Sequence, residues 1–127
     1  MNENEVATEI VDATFRVHDT LGPGLLESVY QAAMAHELRR RGRSFLEQMI
    51  VPVVYEGVQL AAGFRADLIV EDLVIVEIKV VENLLPLHKA QLRTYLRLSG
   101  KRLGLLINFD VALIRDGIKR VVNGLRD

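Results

Sequence analysis

The sequence predicts an α/β protein with a central mixed β-sheet flanked by helices. Three observations carry this. Apolar residues recur at helical spacing over the first third, and Pro86 and Gly100 bound a further helix. Short β-branched runs fill the middle of the chain. The element order, two helices, a group of strands, a helix and a further strand, sets helices around a sheet. A chain of 127 residues is expected to form one domain over 1–127.

The first helix is expected from about Asn4 to Leu21, where Val6, Ile10, Val11, Thr14, Val17 and Leu21 share a spacing of three to four. Gly22-Pro23-Gly24 breaks the chain. A second helix follows from Leu25 to Arg41, with Leu26, Val29, Tyr30, Ala33 and Leu38 on its apolar face and Gly42 as its stop. Arg39-Arg40-Arg41 lies in its last turn, where cations complement the helix dipole. Ile50–Tyr55 and Val58–Ala61 read as strands about a Glu56-Gly57 turn. Pro52 places the first of them at a sheet edge or on a bulge. Phe64–Val70 and Leu73–Val80 are two further strands, joined near Glu71-Asp72. Pro86 suits the first position of a helix with Leu87–Leu98 as its body and Gly100 as its end. Leu103–Phe109 is a short buried strand, and Ile118–Val122 fits either a strand or a last helical turn.

Composition narrows the function. Half of the residues are hydrophobic and a quarter charged, as in globular proteins. Cysteine is absent, which excludes disulfides, zinc fingers, iron–sulfur clusters and cysteine nucleophiles. Sixteen basic against 17 acidic residues do not suit a bulk nucleic-acid coater, although a local basic patch is allowed. Met1–Glu9 is too acidic for a signal peptide. Apolar runs such as Leu73–Val76 and Leu103–Ile107 are too short to span a bilayer. A cytoplasmic protein with no membrane partner is expected.

The chemistry concentrates in two strands. Side chains alternate along a strand, so Leu73, Ile75, Glu77 and Lys79 share one face. Two charged groups thus interrupt a strand that otherwise reads as buried. Burying them costs several kcal/mol per ion unless they are paired, hydrated or metal-bound. A two-residue turn at Glu71-Asp72 would pair Asp67 with Val76 and send the aspartate to the opposite face from Glu77. A three-residue connection, Glu71-Asp72-Leu73, pairs Val70 with Val74 and Asp67 with Glu77, and this register or an equivalent bulge is expected. Two opposed carboxylates repel, and a divalent cation with a taste for hard oxygen donors, Mg²⁺ or Mn²⁺, relieves the repulsion. Lys79 adds a positive charge at the rim. Metal and lysine together suit an anionic substrate such as a phosphodiester.

Asp67 followed by Glu77-Ile78-Lys79 resembles the Asp…Glu-x-Lys signature of the PD-(D/E)XK nuclease superfamily. Gln91-Leu92-Arg93-Thr94-Tyr95 is similar to the Gln-x-x-x-Tyr helix motif of its exonuclease-like branch. Gly24-Leu25-Leu26-Glu27-Ser28-Val29-Tyr30 matches the motif that names the GxxExxY family within that superfamily. The residue before Asp67 is Ala66, where the superfamily's name has proline. The resemblance implies a restriction-endonuclease-like core and metal-dependent hydrolysis of nucleic acid, DNA ahead of RNA. It implies that Asp67, Glu77 and the backbone carbonyl of Ile78 hold the metal, with Glu27 as an outer or direct ligand. Lys79 would orient the attacking water and steady the phosphoryl oxygens, and Gln91 and Tyr95, four apart on one helical face, would aim at the site.

Plainer readings stand beside these. Asp67 and Glu77 could pair with Arg65 and Lys79 on a solvated ladder. Glu27 could be an ordinary first-turn acid. Tyr30 reads as core packing or as a substrate contact. Lys89, Arg93 and Arg97, at i, i+4 and i+8, form a basic stripe that serves either as a solvated face or as a phosphate contact beside the site. His18, His36 and His88 form no zinc pattern, although His88, three before Gln91, is a candidate to line the site. Two other functions are compatible with the same fold. One is a catalytically inactive binding or regulatory module. The other is an assembly subunit that homodimerises through the apolar face of the first helix.

Overall fold

A computed structural model of the chain describes residues 1–126. Helix α1 spans Glu3–Leu21 and α2 spans Glu27–Arg40. Strands β1 (Phe45–Tyr55), β2 (Val58–Val70) and β3 (Val74–Lys79) follow, then α3 (Pro86–Ser99) and β4 (Leu103–Asn108). A 3₁₀ turn, Ile114–Gly117, leads into β5 (Ile118–Val122). The five strands lie in chain order in one sheet. Neighbours are antiparallel except β3 and β4, which run parallel because α3 carries the chain back between them. This is the mixed sheet with flanking helices that the sequence predicts.

Local chemistry explains the boundaries. Asn2 and Glu5 cap α1 reciprocally: the Asn2 side chain accepts the Glu5 N–H at 2.8 Å, and Glu5 Oε1 accepts the Asn2 N–H at 3.1 Å. Past the end of α2, Gly42 takes φ 75°, and the Arg43 N–H returns to the Leu38 carbonyl at 2.9 Å. Both residues of the Glu56-Gly57 turn have positive φ, as a two-residue hairpin turn with native twist requires.

Two sequence expectations need correction. Val58–Ala61 and Phe64–Val70 are one strand, because the chain passes through Gly63 without leaving the sheet. A Cβ at Gly63 would stand 2.1 Å from the Val51 carbonyl oxygen, so glycine marks close strand approach there and not a break. The apolar face of α1 does not await a second copy. Val6, Ile10, Ala13 and Val17 are buried against Tyr30, Met34 and Leu38 of α2 and against Leu68, Val70, Val76 and Leu105 of the sheet. Burying such side chains contributes about 1.5–3 kcal/mol each. The other face of the sheet carries Phe64, Ala66, Ile69, Ile75 and Leu106 under Leu92 and Leu96 of α3. Pro52 lies in β1, which is an edge strand, and Ile118–Val122 is a strand.

Two buried polar side chains fix the loops around the sheet ends. Asn108, closing β4, accepts the Val81 N–H at 3.1 Å and donates to the Val81 carbonyl at 2.8 Å, clamping the chain where it leaves β3 for α3. Tyr30 is fully buried and stacks on Phe109 with ring centres 4.4 Å apart. Its hydroxyl donates to the Gly22 carbonyl at 2.6 Å and accepts the Leu25 N–H at 3.2 Å. Tyr30 therefore holds the turn before α2 and sets where α2 starts. Tyr30→Phe should lower the urea midpoint by an amount equivalent to about 1–2 kcal/mol with an unchanged m value. An unchanged midpoint would show that the hydroxyl does not hold the turn.

Candidate active site

The site forms where the β2–β3 ladder stops. Val70, Ile69 and Leu68 pair with Val74, Ile75 and Val76, and Glu71-Asp72-Leu73 makes the connection. Glu71 and Asp72 both adopt positive φ, and the Leu73 N–H closes on the Val70 carbonyl at 2.9 Å. This is the three-residue register that brings Asp67 level with Glu77. Beyond Leu68 the carboxylates replace the ladder. The Ile78 N–H donates to Asp67 Oδ2 at 2.7 Å, and the Asp67 N–H leans toward Glu77 Oε1 at 3.4 Å. Each acid thus occupies the backbone space of the other's strand.

The neighbouring strand supports this with a break in phase. Phe64, Ala66 and Ile69 pack on the α3 side, whereas Leu68 and Val70 pack on the α1 and α2 side. Strict alternation would keep residues 64, 66, 68 and 70 on one face, so β2 slips by one position around Asp67. Opposite the slip, between the Glu47–Leu68 and Met49–Ala66 pairs, Gln48 holds φ 50°. That conformation costs a non-glycine residue about 1 kcal/mol or more, and such strain gathers at functional sites. The Gln48 side-chain amide donates to Asp67 Oδ1 at 3.3 Å and also to Gln31 of α2.

Both acids are buried, and neither has a basic side chain bonded to it among the described residues. The solvated ladder with Arg65 and Lys79 is therefore not formed. Burial is the main cause that pushes the Glu77 carboxyl up to about 8, and the Asp67 charge adds to it. Lys79 opposes that rise but does not cancel it. Glu27, exposed at the first turn of α2, is raised by partial burial and then by Asp67, while Lys79 lowers it. Tyr95 of α3 stacks on Phe64 at 4.0 Å, and its phenol is raised by burial and then by Glu77 and Asp67. These shifts place Glu27, Lys79 and Tyr95 within electrostatic reach of the acid pair.

Other candidates fall elsewhere. Gln91 is exposed one helical turn before Tyr95 and on the same flank. At about 100° per residue, Lys89, Arg93 and Arg97 turn roughly 120–160° away from Tyr95, so the basic stripe is a separate, solvent-facing flank of α3 and not a wall of the site. Tyr30 has no surface to offer a substrate, because the core encloses its ring and the turn uses its hydroxyl. His88 caps α3: its Nδ1 accepts the Leu85 N–H at 3.0 Å. Gln48, Gln31 and Phe64 escaped the sequence reading. The strand expected from the sequence begins at Ile50, so Gln48 falls outside it, and no spacing rule ties a glutamine on one strand to an aspartate on the next.

The donor set suits a hard divalent cation. Asp67 and Glu77 offer carboxylate oxygens side by side, and Glu77 receives just the 3.4 Å contact among the described residues. No group of three or more His, Cys, Asp and Glu side chains is placed as a ready cage among the described residues, so Glu27 stands apart from the pair. Mg²⁺ is commonly held by one or two carboxylates with water completing its shell, and two acids satisfy that pattern.

The raised Glu77 carboxyl has a consequence for stability. Between about pH 4.5 and 8 the native state keeps a proton that the unfolded chain has lost. Stability is therefore lost as pH rises through that window. Glu77→Gln removes this loss. In buffer with chelator, the variant's unfolding free energy should match wild type near pH 4.5 and exceed it by up to a few kcal/mol at pH 8. A difference that does not change with pH would contradict the assignment.

Comparison with known proteins bears on the family and the fold. The sequence profile of the PD-(D/E)XK nuclease superfamily matches residues 4–121. Among solved structures, the crystal structure of SSO0001 is similar with a TM-score of 0.56 and 21% identity, over 79% of this chain and 52% of that one. The chain thus spans about half the length of that protein. An alkaline exonuclease (LHK-Exo) from Laribacter hongkongensis matches with a TM-score of 0.49 and 15% identity, over 96% of this chain and 82% of that one. No curated protein matches the sequence. No helix among the described residues is long and apolar enough to cross a membrane. With the profile covering nearly its whole length, the chain belongs to the PD-(D/E)XK nuclease superfamily.

Proposed function

We propose that this protein hydrolyses phosphodiester bonds in nucleic acid with a divalent metal, Mg²⁺ or Mn²⁺, within one nuclease-like domain over 1–127 of the GxxExxY type. The observation that carries the reading is the buried Asp67–Glu77 pair, to which no basic side chain is bonded among the described residues and which lies beside Lys79. A phosphate backbone brought to three acids and one lysine would be repelled, so the site needs a cation before it can take its substrate. Asp67, Glu77 and the Ile78 carbonyl would hold that cation, and Glu27 would support it from the rim. When bound, the metal supplies Lewis-acid stabilisation and a more acidic water.

This chain's own residues do the rest. Asp67 is fixed by the Ile78 N–H and by Gln48, so its carboxylate is positioned before any ligand arrives. Lys79 faces the same side of β3 as Glu77 and would steady the phosphoryl oxygens as charge builds on them. Tyr95 is locked by its stack on Phe64 and closes the α3 side, with Gln91 one turn outward. DNA is the expected polymer ahead of RNA, and the cytoplasm the expected compartment.

The test is cleavage of single- and double-stranded DNA and RNA with Mg²⁺ or Mn²⁺ added back after chelation. Asp67→Ala and Lys79→Ala should each lower the rate by roughly 100-fold or more. Cleavage unchanged in both variants would place the activity elsewhere. Metal binding without cleavage of any of the four polymers would favour a nuclease-fold binding or regulatory module.

A further inference from the structure

We infer that the outer flank of α3 is a second contact for the nucleic acid, on which Lys89, Arg93 and Arg97 hold the phosphates of one strand outside the site. The charge pattern carries this. Between Asn83 and Phe109 the chain has five basic side chains and no acid, although its net charge is −1. Two of the five are engaged within the fold: Lys101 meets Asp72 at 2.7 Å and Arg102 meets Glu3 at 2.9 Å. At the end of α2 a single acid, Glu37, takes Arg16, Arg40 and Arg41. The side chains of Lys89, Arg93 and Arg97 are exposed and meet no acid among the described residues. Like charges four apart on a helix destabilise it, and α3 carries two such pairs with no acid beside them. The fold alone gives no reason for the row.

The geometry says where a strand would run. Leu92 lies against Gly104 of β4, and Tyr95 stacks on Phe64 of β2. At about 100° per residue the row follows Leu92 around the helix on the side away from Tyr95, so it looks toward β5. The chain enters α3 from the end of β3 that carries Glu77 and Lys79. Lys89 therefore stands at the site's end of the helix, and Arg93 and Arg97 follow about 6 and 12 Å farther along its axis. A nucleic-acid strand carries one negative charge per nucleotide at a regular interval, and it is the polymer that such a row fits. The two arginines add planar forks that match phosphate oxygens. Ala90 and Thr94, beside the row, are small, so this flank has no anchor for a protein interface. Three cations also fall short of the roughly four to eight that hold a helix to an anionic membrane. Contacts of this kind fix the course of a strand and read no sequence.

The inference takes its partner from the proposed function but needs no metal, so the two are tested apart. Binding is read by fluorescence anisotropy of a labelled single-stranded DNA of about 20 nucleotides in EDTA, over a range of low salt. Each phosphate contact on a single strand contributes roughly 0.7 to the log–log salt slope, so Lys89→Gln with Arg93→Gln and Arg97→Gln should reduce its size by about 2. Arg39→Gln with Arg40→Gln and Arg115→Gln removes the same charge from other exposed positions and should leave the slope as in wild type. A wild type without salt-dependent binding, a row variant with the wild-type slope, or an equal fall in the second variant would overturn the inference. A protein that binds as expected here but cleaves nothing when metal is added would support the inference and count against the proposed hydrolysis. The chain has no cysteine, so a photo-cross-linker can be set at one position. Ala90→Cys carrying an azidophenacyl group should cross-link to the same DNA about tenfold or more above Asp12→Cys on the exposed side of α1. Equal yields would overturn the inference.

Discussion

The structure turns on an exchange between two strands. Where the β2–β3 ladder should continue, the N–H of Ile78 goes to the Asp67 carboxylate and the N–H of Asp67 goes toward the Glu77 carboxylate. A regular ladder would satisfy both donors with carbonyls and leave the acids outside. Here the acids are built into the sheet, so their separation is set by backbone and not by flexible side chains. The arrangement is rigid because the sheet is, and in the bare protein burial and the neighbouring Asp67 charge make Glu77 keep its proton.

Much of the surrounding fold can be understood as support for that exchange. The left-handed Gln48 and the phase slip in β2 let Asp67 leave the regular alternation without uncoupling β1 from β2. Asn108 secures the chain just beyond Lys79, and Tyr30 pins the turn from which Glu27 emerges. The GxxExxY motif thus has a physical content: its tyrosine holds the loop that delivers its glutamate. Helices on both faces keep the middle of the sheet dry, which strengthens every charge interaction at its end.

The sequence carried a large part of this. Periodicity located α1, whose apolar face is buried at regular spacing, and Pro86 and Gly100 marked α3. On α2, Tyr30 and Leu38 are buried as expected, but Leu26 precedes the helix as its N-cap and is exposed with Val29, because the sheet lies under the other flank. The Asp67–Glu77 register followed from alternation and from the length of one connection. What escaped was tertiary. Whether Val58–Val70 is one strand or two depends on how closely Val51 approaches Gly63, which no local pattern records. The apolar face of α1 is equally suited to a partner or to its own sheet, and the sheet won. The stripe of Lys89 and Arg93 was legible as a stripe. Its turn away from the site became clear once Tyr95 was seen to face Phe64. Gln48 was invisible because its role comes from a backbone conformation that glutamine seldom adopts.

The central claim, that Asp67 and Glu77 form a cation site whose protonation is coupled to metal, is tested most directly by calorimetric titration of Mn²⁺ at pH 7 in two buffers of different ionisation enthalpy. With Glu77 raised to about 8, the free site holds a proton that the metal must displace. The account predicts release of about one proton per ion bound, and loss of binding in Asp67→Asn, which keeps an acceptor for the Ile78 N–H. Binding with no proton released, or binding that survives Asp67→Asn, would contradict it.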